Sequence, residues 1–220
     1  GINMDATVTS ILHKSQEELE MLARKKVKHL YLGIESGLDD VLKFMKKDHD
    51  LAQAYQAIDR LHEAGLIYDA HIMTGVAGKG RGMENAEALA QFLNRTNPAH
   101  VVNFSMFLHR EVPLYQDIRQ GTFVPADELE TIREEYHLIE RIAPEKAGAN
   151  ILYDGFHDFI HVRVRGHLPG DKEKMLAKLN GIIQEYEGKE PVYSFVQGEC
   201  PDLEYCDDGK AVWDMDRKTS

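Results

Sequence analysis

Cysteine is almost absent from this chain, which has only Cys200 and Cys206 among its 220 residues. Two cysteines are too few for the disulfide framework of a small secreted domain, and this scarcity favours a reducing compartment. The first residues, Gly1–Asp5, lack the basic and apolar segments of a signal peptide. We therefore expect a cytoplasmic protein in which both cysteines are free thiols.

Long hydrophobic runs and an excess of positive charge are also missing. No apolar run approaches the roughly 20 residues that span a bilayer. Lys and Arg total 26 against 37 Asp and Glu, and the resulting net charge of −11 would repel a phosphate backbone. We therefore expect neither a membrane nor a nucleic acid as a partner.

What the chain does contain is an alternation of strand and helix patterns. Apolar periodicity and punctuation by glycine and capping residues predict the following elements. The predicted strands are 29–35, 66–74 and 100–108, and the predicted helices are 15–25, 51–64, 84–93, 126–142 and 172–186. Strands separated by helices of this length imply right-handed crossovers and a parallel sheet, either open or rolled into a barrel. The predicted fold class is therefore α/β.

The first predicted strand ends in polar residues. Leu30, Leu32 and Ile34 share one face of it, and Glu35 lies on the opposite face, just before Ser36. Ligands of parallel α/β folds bind at the carboxyl ends of strands, where these two side chains could hold a ribose or an amine. The alternative is that Glu35 pairs with a neighbouring helix and Ser36 only caps the next one.

A glycine-rich loop, Gly75–Gly82, follows the second predicted strand. It is not a phosphate-binding P-loop, because Met73 and Gly80 occupy the positions where that motif needs a glycine and a Ser or Thr. Two interpretations remain open. Either the backbone approaches a flat or bulky ligand closely, or the segment is a surface loop.

The histidines raise the question of a metal site, and His157, His161 and His167 are the main candidates. Residues 156–164 alternate like a strand, which would place His157 and His161 on one face. No His-Glu-x-x-His helix is present. We therefore assign no metal ligand.

The order of these motifs resembles one known family. The segments that carry the resemblance extend from about residue 10 to 179, and they are Lys14-Ser15, the strand Leu32-Gly33-Ile34-Glu35-Ser36-Gly37, Asp40 with Leu42, Met45 and Lys47, Glu63-Ala64-Gly65, the loop Gly75-x-x-Gly78, Pro113-Leu114-Tyr115, and Leu168-Pro169 with Asp171, Lys172 and Lys174. Together they look like the second half of a radical S-adenosylmethionine (SAM) iron–sulfur oxidoreductase.

The resemblance implies a fold and a set of site residues. It implies about the last three or four strands of an incomplete parallel (β/α)₆ barrel over residues 1–145, followed by an α+β extension and an acidic tail over residues 146–220. It also implies that part of the SAM site lies on this chain. The residues that correspond to the family's SAM-binding positions are Glu35, Ser36, Ile72, Met73, Gly75, Val76, Gly78 and His109.

One departure from the family decides what we expect of the chain alone. The family anchors a [4Fe–4S] cluster on three cysteines spaced C-x-x-x-C-x-x-C, and these 220 residues contain no such triplet. The resemblance therefore implies a carboxy-terminal fragment that binds SAM in an intact parent enzyme, carries no cluster or catalytic residue itself, and is inactive alone. The alternative is a stand-alone, non-catalytic α/β binding or interaction module. Neither interpretation identifies the small-molecule or macromolecular substrate, and the exposed edge of a partial sheet could support a homodimer.

Overall fold

The computed structural model describes residues 1–195, and its centre is a six-stranded sheet with the strands in sequence order. The first five strands run parallel, and the sixth pairs antiparallel with the fifth. The strands are β1 (Ile2–Ala6), β2 (Val27–Glu35), β3 (Ile67–Thr74), β4 (His100–Ser105), β5 (Ile151–His157) and β6 (Val162–Leu168). The predicted parallel α/β sheet is confirmed for β1–β5, and the antiparallel β6 adds to it.

Helices connect the parallel strands and cover one face of the sheet. They are α1 (Val8–Leu12), α2 (Gln16–Arg24), α3 (Asp39–Phe44), α4 (Leu51–Glu63), α5 (Gly82–Thr96), α6 (Leu114–Gln120), α7 (Glu128–Arg141) and α8 (Lys172–Tyr186). The predicted capping box at the start of α2 is confirmed. The Ser15 hydroxyl accepts from the Glu18 amide, and the Glu18 carboxylate accepts from the Ser15 amide.

The main hydrophobic core lies between these helices and the sheet. Leu30, Leu32 and Ile34 of β2 are fully buried there, as the alternation predicts. The opposite face, which we call the concave face, is covered by none of the helices described within residues 1–195. Its side chains include the partly buried Tyr31 and Glu35 and the fully buried Asp69.

The strands differ from the sequence prediction in two places. The sheet has six strands, because β1 and the β5–β6 hairpin add to those that the patterns mark. The predicted strand at 156–164 is wrong. β5 ends at His157, a 3₁₀ turn occupies Asp158–Ile160, and His161 adopts a left-handed conformation (φ +54°) before β6 begins. His157 and His161 therefore do not share a strand face.

The sheet continues across residue 145, because β5 pairs with β4 in parallel. The division of the chain into residues 1–145 and 146–220 stays a prediction. Both cysteines lie outside the described residues, as do the tail acids Asp202, Glu204, Asp207, Asp208, Asp214 and Asp216. None of the helices described within residues 1–195 has the length and apolar character to cross a membrane.

Candidate functional site at the carboxyl edge of the sheet

The parallel strands bring their carboxyl ends to one edge of the sheet. In the strand register, Glu35 of β2 lies beside Ile72 of β3, and Thr74 lies beside Ser105 of β4. The residues that follow each strand therefore meet at this edge, where ligands of parallel α/β folds bind. The predicted site residues at the ends of β2 and β3 are brought together here.

Glu35 has an unusual backbone conformation. Its φ is +63°, which is rare for a residue with a side chain, and the strand register shifts between Gly33 and Glu35. Its carboxylate accepts from the Lys47 ammonium group at 3.3 Å. A side chain at Gly33 would come within 2.7 Å of Glu35 Oε1, so the ion pair lies directly over Gly33. The strained backbone and the glycine together direct this carboxylate over the concave face.

The Glu35–Lys47 pair is open to solvent, because the two side chains are 26% and 28% exposed respectively. A pair at this exposure contributes at most about 1 kcal/mol to stability. A ligand can therefore displace Lys47 from the carboxylate at small cost.

Ser36 is fully buried and faces the interior of the protein. Its hydroxyl donates to Asn85 Oδ1 at 2.6 Å and accepts from the Leu38 amide at 3.1 Å. The Gly37 amide donates to the same Asn85 oxygen at 3.2 Å. Ser36 thus holds the turn after β2 in place and presents no free hydroxyl at the edge.

The same network continues to the glycine loop. Asn85 Nδ2 donates to Glu134 Oε1 at 2.7 Å, and the Gly75 amide donates to Glu134 Oε2 at 2.8 Å. Burial raises the pKa of Glu134 to about 7, against the two hydrogen bonds, which lower it. One buried carboxylate on α7 therefore links the end of β2 to the end of β3.

The loop itself has a conformation that favours glycine. Gly75, Gly78 and Gly80 have φ values of +83°, +79° and +80°. A Cβ at Gly78 would lie 2.9 Å from the carbonyl oxygen of Val124, and the Lys79 amide donates to that oxygen at 2.8 Å. The segment is thus pinned against residue 124, and Gly78 allows the close approach of the two backbones.

The outer side of this loop borders a cavity of about 360 Å³. Its apolar part includes Val41, Val76 and Ala77, which pack against the partly buried Met45, Met73 and Met106. At the rim, Arg81 forms ion pairs with Asp40 (2.7 Å) and Glu84 (2.9 Å). An apolar floor with a polar rim suits a flat heterocycle.

The remaining predicted site residues lie in different environments. The side chain of Ile72 is fully buried in the main core, on the helix side of the sheet. The side chain of Met73, the next residue along β3, lies on the concave face, and Val76 lies in the cavity wall. His109 follows the end of β4, and its ring lies 5.5 Å from the ring of Phe107. Only the backbone of Ile72 is thus available at the edge.

A second buried polar cluster lies under the ends of β4 and β5, and the sequence analysis missed it. The two ring nitrogens of His157 lie 3.1 Å from Glu128 Oε2 and 3.1 Å from Glu135 Oε2. Burial by itself would lower the pKa of His157, but the hydrogen bonds to both carboxylates outweigh it and raise the pKa to about 10. This cluster holds α7 against the sheet.

Several side chains on the concave face were also missed as site candidates. His29, Asp69 and His100 lie there on β2, β3 and β4, and the two imidazoles flank the Asp69 carboxylate. The two-residue alternation of side chains along a strand could have identified them, since His29 lies on the same face of β2 as Tyr31 and Glu35.

The described residues contain no site for a metal or for an iron–sulfur cluster. No group of three or more His, Cys, Asp or Glu side chains within residues 1–195 converges in a way that could hold a metal ion. This part of the chain also has no cysteine, and therefore no thiolate for a cluster.

Comparison with known proteins gives three findings. The Radical SAM superfamily model matches residues 2–93. A tRNA uridine(34) acetyltransferase from Methanocaldococcus infernus is 25% identical over 119 residues, which are 54% of this chain and 22% of that protein. The solved structure of archaeal Methanocaldococcus infernus Elp3 with an N-terminal deletion (1–46) aligns with a TM-score of 0.60 at 17% identity, covering 82% of this chain and 41% of that one. This chain thus spans about a fifth of the curated relative, and the likeness to the solved structure is one of fold.

Proposed function

We propose that this chain, whose residues 2–93 match the Radical SAM superfamily model, supplies part of the SAM- and substrate-binding surface of a radical SAM iron–sulfur oxidoreductase. The observation that carries the proposal is the convergence of Glu35 and the Gly75–Gly78 loop at one edge of a parallel sheet. Ser36, Asn85 and Glu134 hold both elements through one buried network.

Each part of the edge has a role in this proposal. The Glu35 carboxylate pairs with the positively charged amino group of SAM or accepts from the ribose hydroxyls, after Lys47 moves aside. The adenine lies against Met73, Val76 and the backbone of the glycine loop. Ile72 contributes backbone only, and Ser36 is a positioning residue. His109 lies at the outer end of the site, after β4.

In an intact radical SAM enzyme, a [4Fe–4S] cluster with SAM would supply a 5′-deoxyadenosyl radical. The described residues do not fit such a cluster, because they include no thiolate. We therefore assign to them only binding and orientation of SAM and substrate. Anaerobic reconstitution should give this chain no iron–sulfur absorbance. A yield near four irons per chain would contradict the assignment.

Calorimetry with SAM tests the binding proposal. Because this chain encloses SAM on one side alone, we expect a dissociation constant no better than about 0.1–1 mM. This value corresponds to roughly 4 to 5.5 kcal/mol of binding free energy. Glu35→Ala should weaken this binding measurably. The matched control is Glu63→Ala, because Glu63 is exposed at the end of α4. Micromolar affinity unaffected by Glu35→Ala would show that the carboxylate assignment is wrong.

The coding sequence distinguishes this proposal from the alternative, which is a stand-alone binding or interaction module. An in-frame C-x-x-x-C-x-x-C within about 150 residues upstream, the scale of one domain, would support the enzyme. A stop codon immediately upstream would support the module.

A further inference from the structure

A second cavity lies at the amino edge of the sheet, opposite the candidate functional site. We call it the amino-edge cavity, and its volume is about 600 Å³. It opens where β3, β4 and β5 begin, and its walls come from His62, residues 66–68, residues 95–99, Lys146 and residues 148–150. Small-molecule sites commonly have a volume of this order. The amino-edge cavity is therefore a candidate binding site that the SAM proposal does not use.

The wall of this cavity carries basic residues and no acidic one. Arg95, Lys146 and His62 line it, and no Asp or Glu is among its lining residues. The whole chain shows the opposite balance, with 37 acidic residues against 26 Lys and Arg. Within residues 1–195, neither Arg95 nor Lys146 forms an ion pair with a carboxylate. Two positive charges in this part of the chain thus border the cavity without a carboxylate to neutralise them.

The Arg95 side chain is held in place by stacking. Its guanidinium carbon lies 4.2 Å from the centroid of the Tyr55 ring, and the centroid of that ring lies 4.7 Å from the centroid of the Phe92 ring. Stacking uses the face of a guanidinium and leaves the N–H donors at its edge available, in the planar geometry that binds phosphate oxygens. Arg95 can therefore bind an anion without first breaking an ion pair.

Lys146 comes from a loop that is attached to the rest of the fold on both sides. Before it, the Glu145 amide donates to the Asn94 carbonyl at 3.1 Å. After it, the Leu152 amide donates to the Ala99 carbonyl at 3.0 Å. The backbone that carries Lys146 is thus fixed against the last turn of α5 and the residue that precedes β4.

His62 lies near enough to Lys146 for their charges to interact. Burial lowers the pKa of His62, the Asp59 carboxylate opposes this effect, and the Lys146 ammonium group lowers the pKa further. Asp59 is not among the residues that line the cavity. Two basic groups that disfavour each other's positive charge cost free energy, and an anion bound beside them would offset that cost.

Two of the three bases also have a structural role. His62 and Arg95 lie in the last turns of α4 and α5, where positive charge stabilises the carboxyl end of a helix. Lys146 lies in the loop before β5 and belongs to no helix. Helix stabilisation therefore does not explain why a third base lines the same cavity.

We propose that the amino-edge cavity binds the phosphate group of a small phosphate monoester. The phosphate oxygens accept hydrogen bonds from the Arg95 guanidinium and the Lys146 ammonium group. The organic part packs on the apolar wall, which includes Ile67, 38% exposed, and the partly exposed Ala99. This site goes beyond the proposed function. SAM carries a net positive charge, so the same bases disfavour SAM in this cavity.

Calorimetric titration of the full chain with phenyl phosphate tests the proposal, with inorganic phosphate and phenol as partial ligands. Phenyl phosphate should bind more tightly than either part, because the bases bind its phosphate and the apolar wall its ring. Arg95→Gln and Lys146→Gln should each weaken this binding about tenfold, since each removes a hydrogen bond to a charged group. The matched controls are Arg24→Gln on α2 and Lys174→Gln on α8, which change exposed bases away from the cavity.

Nuclear magnetic resonance of the labelled chain locates the ligand. Phenyl phosphate should shift the amides of residues 95–99 and 145–150, and it should leave residues 33–37 and 73–80 unchanged. The result does not depend on SAM binding, which concerns the second pair of segments. Shifts at the second pair alone would overturn the proposal, as would inorganic phosphate binding as tightly as phenyl phosphate.

The stability of the two variants separates a binding role from a helix-stabilising one. Arg95→Gln can lower the free energy of unfolding through its place at the end of α5, so affinity is compared only under conditions where circular dichroism shows each variant folded. Lys146→Gln has no such effect on a helix. Phenyl phosphate affinity that neither folded variant changes relative to the two controls would overturn the proposal.

Discussion

His157 lies between Glu128 and Glu135 in a fully buried position, and this arrangement explains how three ionisable groups are tolerated there. An imidazolium donates to both carboxylates and neutralises part of their charge. If the ring is removed, two carboxylates remain close together in a low-dielectric interior. Breaking a buried ion pair in this way costs about 3–5 kcal/mol.

His157→Gln is therefore expected to lower the free energy of unfolding at pH 7 by about 3–5 kcal/mol. The pKa of His157 is raised to about 10, so the folded protein holds its proton more tightly than the unfolded chain. Its stabilising effect is fully present below the ordinary pKa of 6.5 and is lost as the pH rises towards 10. Urea denaturation between pH 6 and 10 should show this decline in the wild type and a flatter profile in the variant.

The control for this substitution is His13→Gln, because His13 is exposed. Its stability should stay within about 0.5 kcal/mol of the wild type. An unfolding free energy for His157→Gln equal to that of the control, with the same decline at high pH, would show that the buried imidazolium does not stabilise the fold.

Ser36 shows what sequence could and could not predict for a single residue. The prediction that it lies at the end of a strand was correct. The sequence left two roles open for it, which were ligand contact and helix capping. The structure gives it a buried role, because its hydroxyl is used by Asn85 and the Leu38 amide. The partner Asn85 lies 49 positions away, and no local pattern reveals a contact at that separation.

At the scale of elements, α7 combines packing with support of the site. Glu128, Ile132, Glu135 and Ile139 fall on one helical face, and all four side chains are buried. The sequence analysis predicted a charge-laced amphipathic helix, and charged residues on such helices usually face solvent. The buried glutamates were missed because their partners come from distant strands, although their spacing with the isoleucines was visible.

The glycine loop is the element most sensitive to substitution. A Cβ at Gly75 would lie 2.8 Å from Thr131 Cγ2, while a Cβ at Gly80 would meet nothing within 4 Å. Both glycines have positive φ values. Gly80→Ala should therefore cost about 1 kcal/mol from backbone strain alone, and Gly75→Ala about 2–3 kcal/mol from strain and the clash.

Thr131→Ser removes the clashing methyl group and should restore part, but not all, of the stability lost in Gly75→Ala. Thermal denaturation of the four single and double variants measures this coupling. Equal losses for Gly75→Ala and Gly80→Ala, or no rescue by Thr131→Ser, would show that the loop does not pack against α7 as described.

At the scale of the whole molecule, β1 forms one edge of the sheet. Ile2 and Met4 are 51% and 42% exposed, and within residues 1–195 β1 pairs only with β2. An exposed strand edge with apolar side chains is a template for association. We expect the chain to form a homodimer through this edge at high concentration.

Light scattering tests the dimer. Met4→Lys places a charge beside the edge. It should raise the dissociation constant of the dimer about tenfold. Met21→Lys is the matched control, because Met21 on α2 is similarly exposed at 45%. A wild-type protein that stays monomeric at all concentrations, or equal effects of both variants, would contradict association through β1.

The parallel sheet was predictable because long periodic segments define β2, β3, α4 and α8. β1 was missed because Ile2–Ala6 has only five residues and no preceding pattern. The β5–β6 hairpin was misread because residues 156–164 alternate across a turn. A period of two detects extended backbone but not the residue at which a strand reverses.

The central claim is that SAM binds at the carboxyl edge of this sheet, and residue-resolved nuclear magnetic resonance tests it most directly. Titration of isotopically labelled chain with SAM should shift the amides of residues 33–37 and 73–80. The cavity of about 600 Å³ at the opposite edge, lined by Arg95, Asn97 and Lys146, serves as an internal reference and should not respond. Shifts concentrated at that cavity would contradict the account. So would the absence of shifts at either edge at about 10 mM SAM, tenfold above a dissociation constant of about 1 mM.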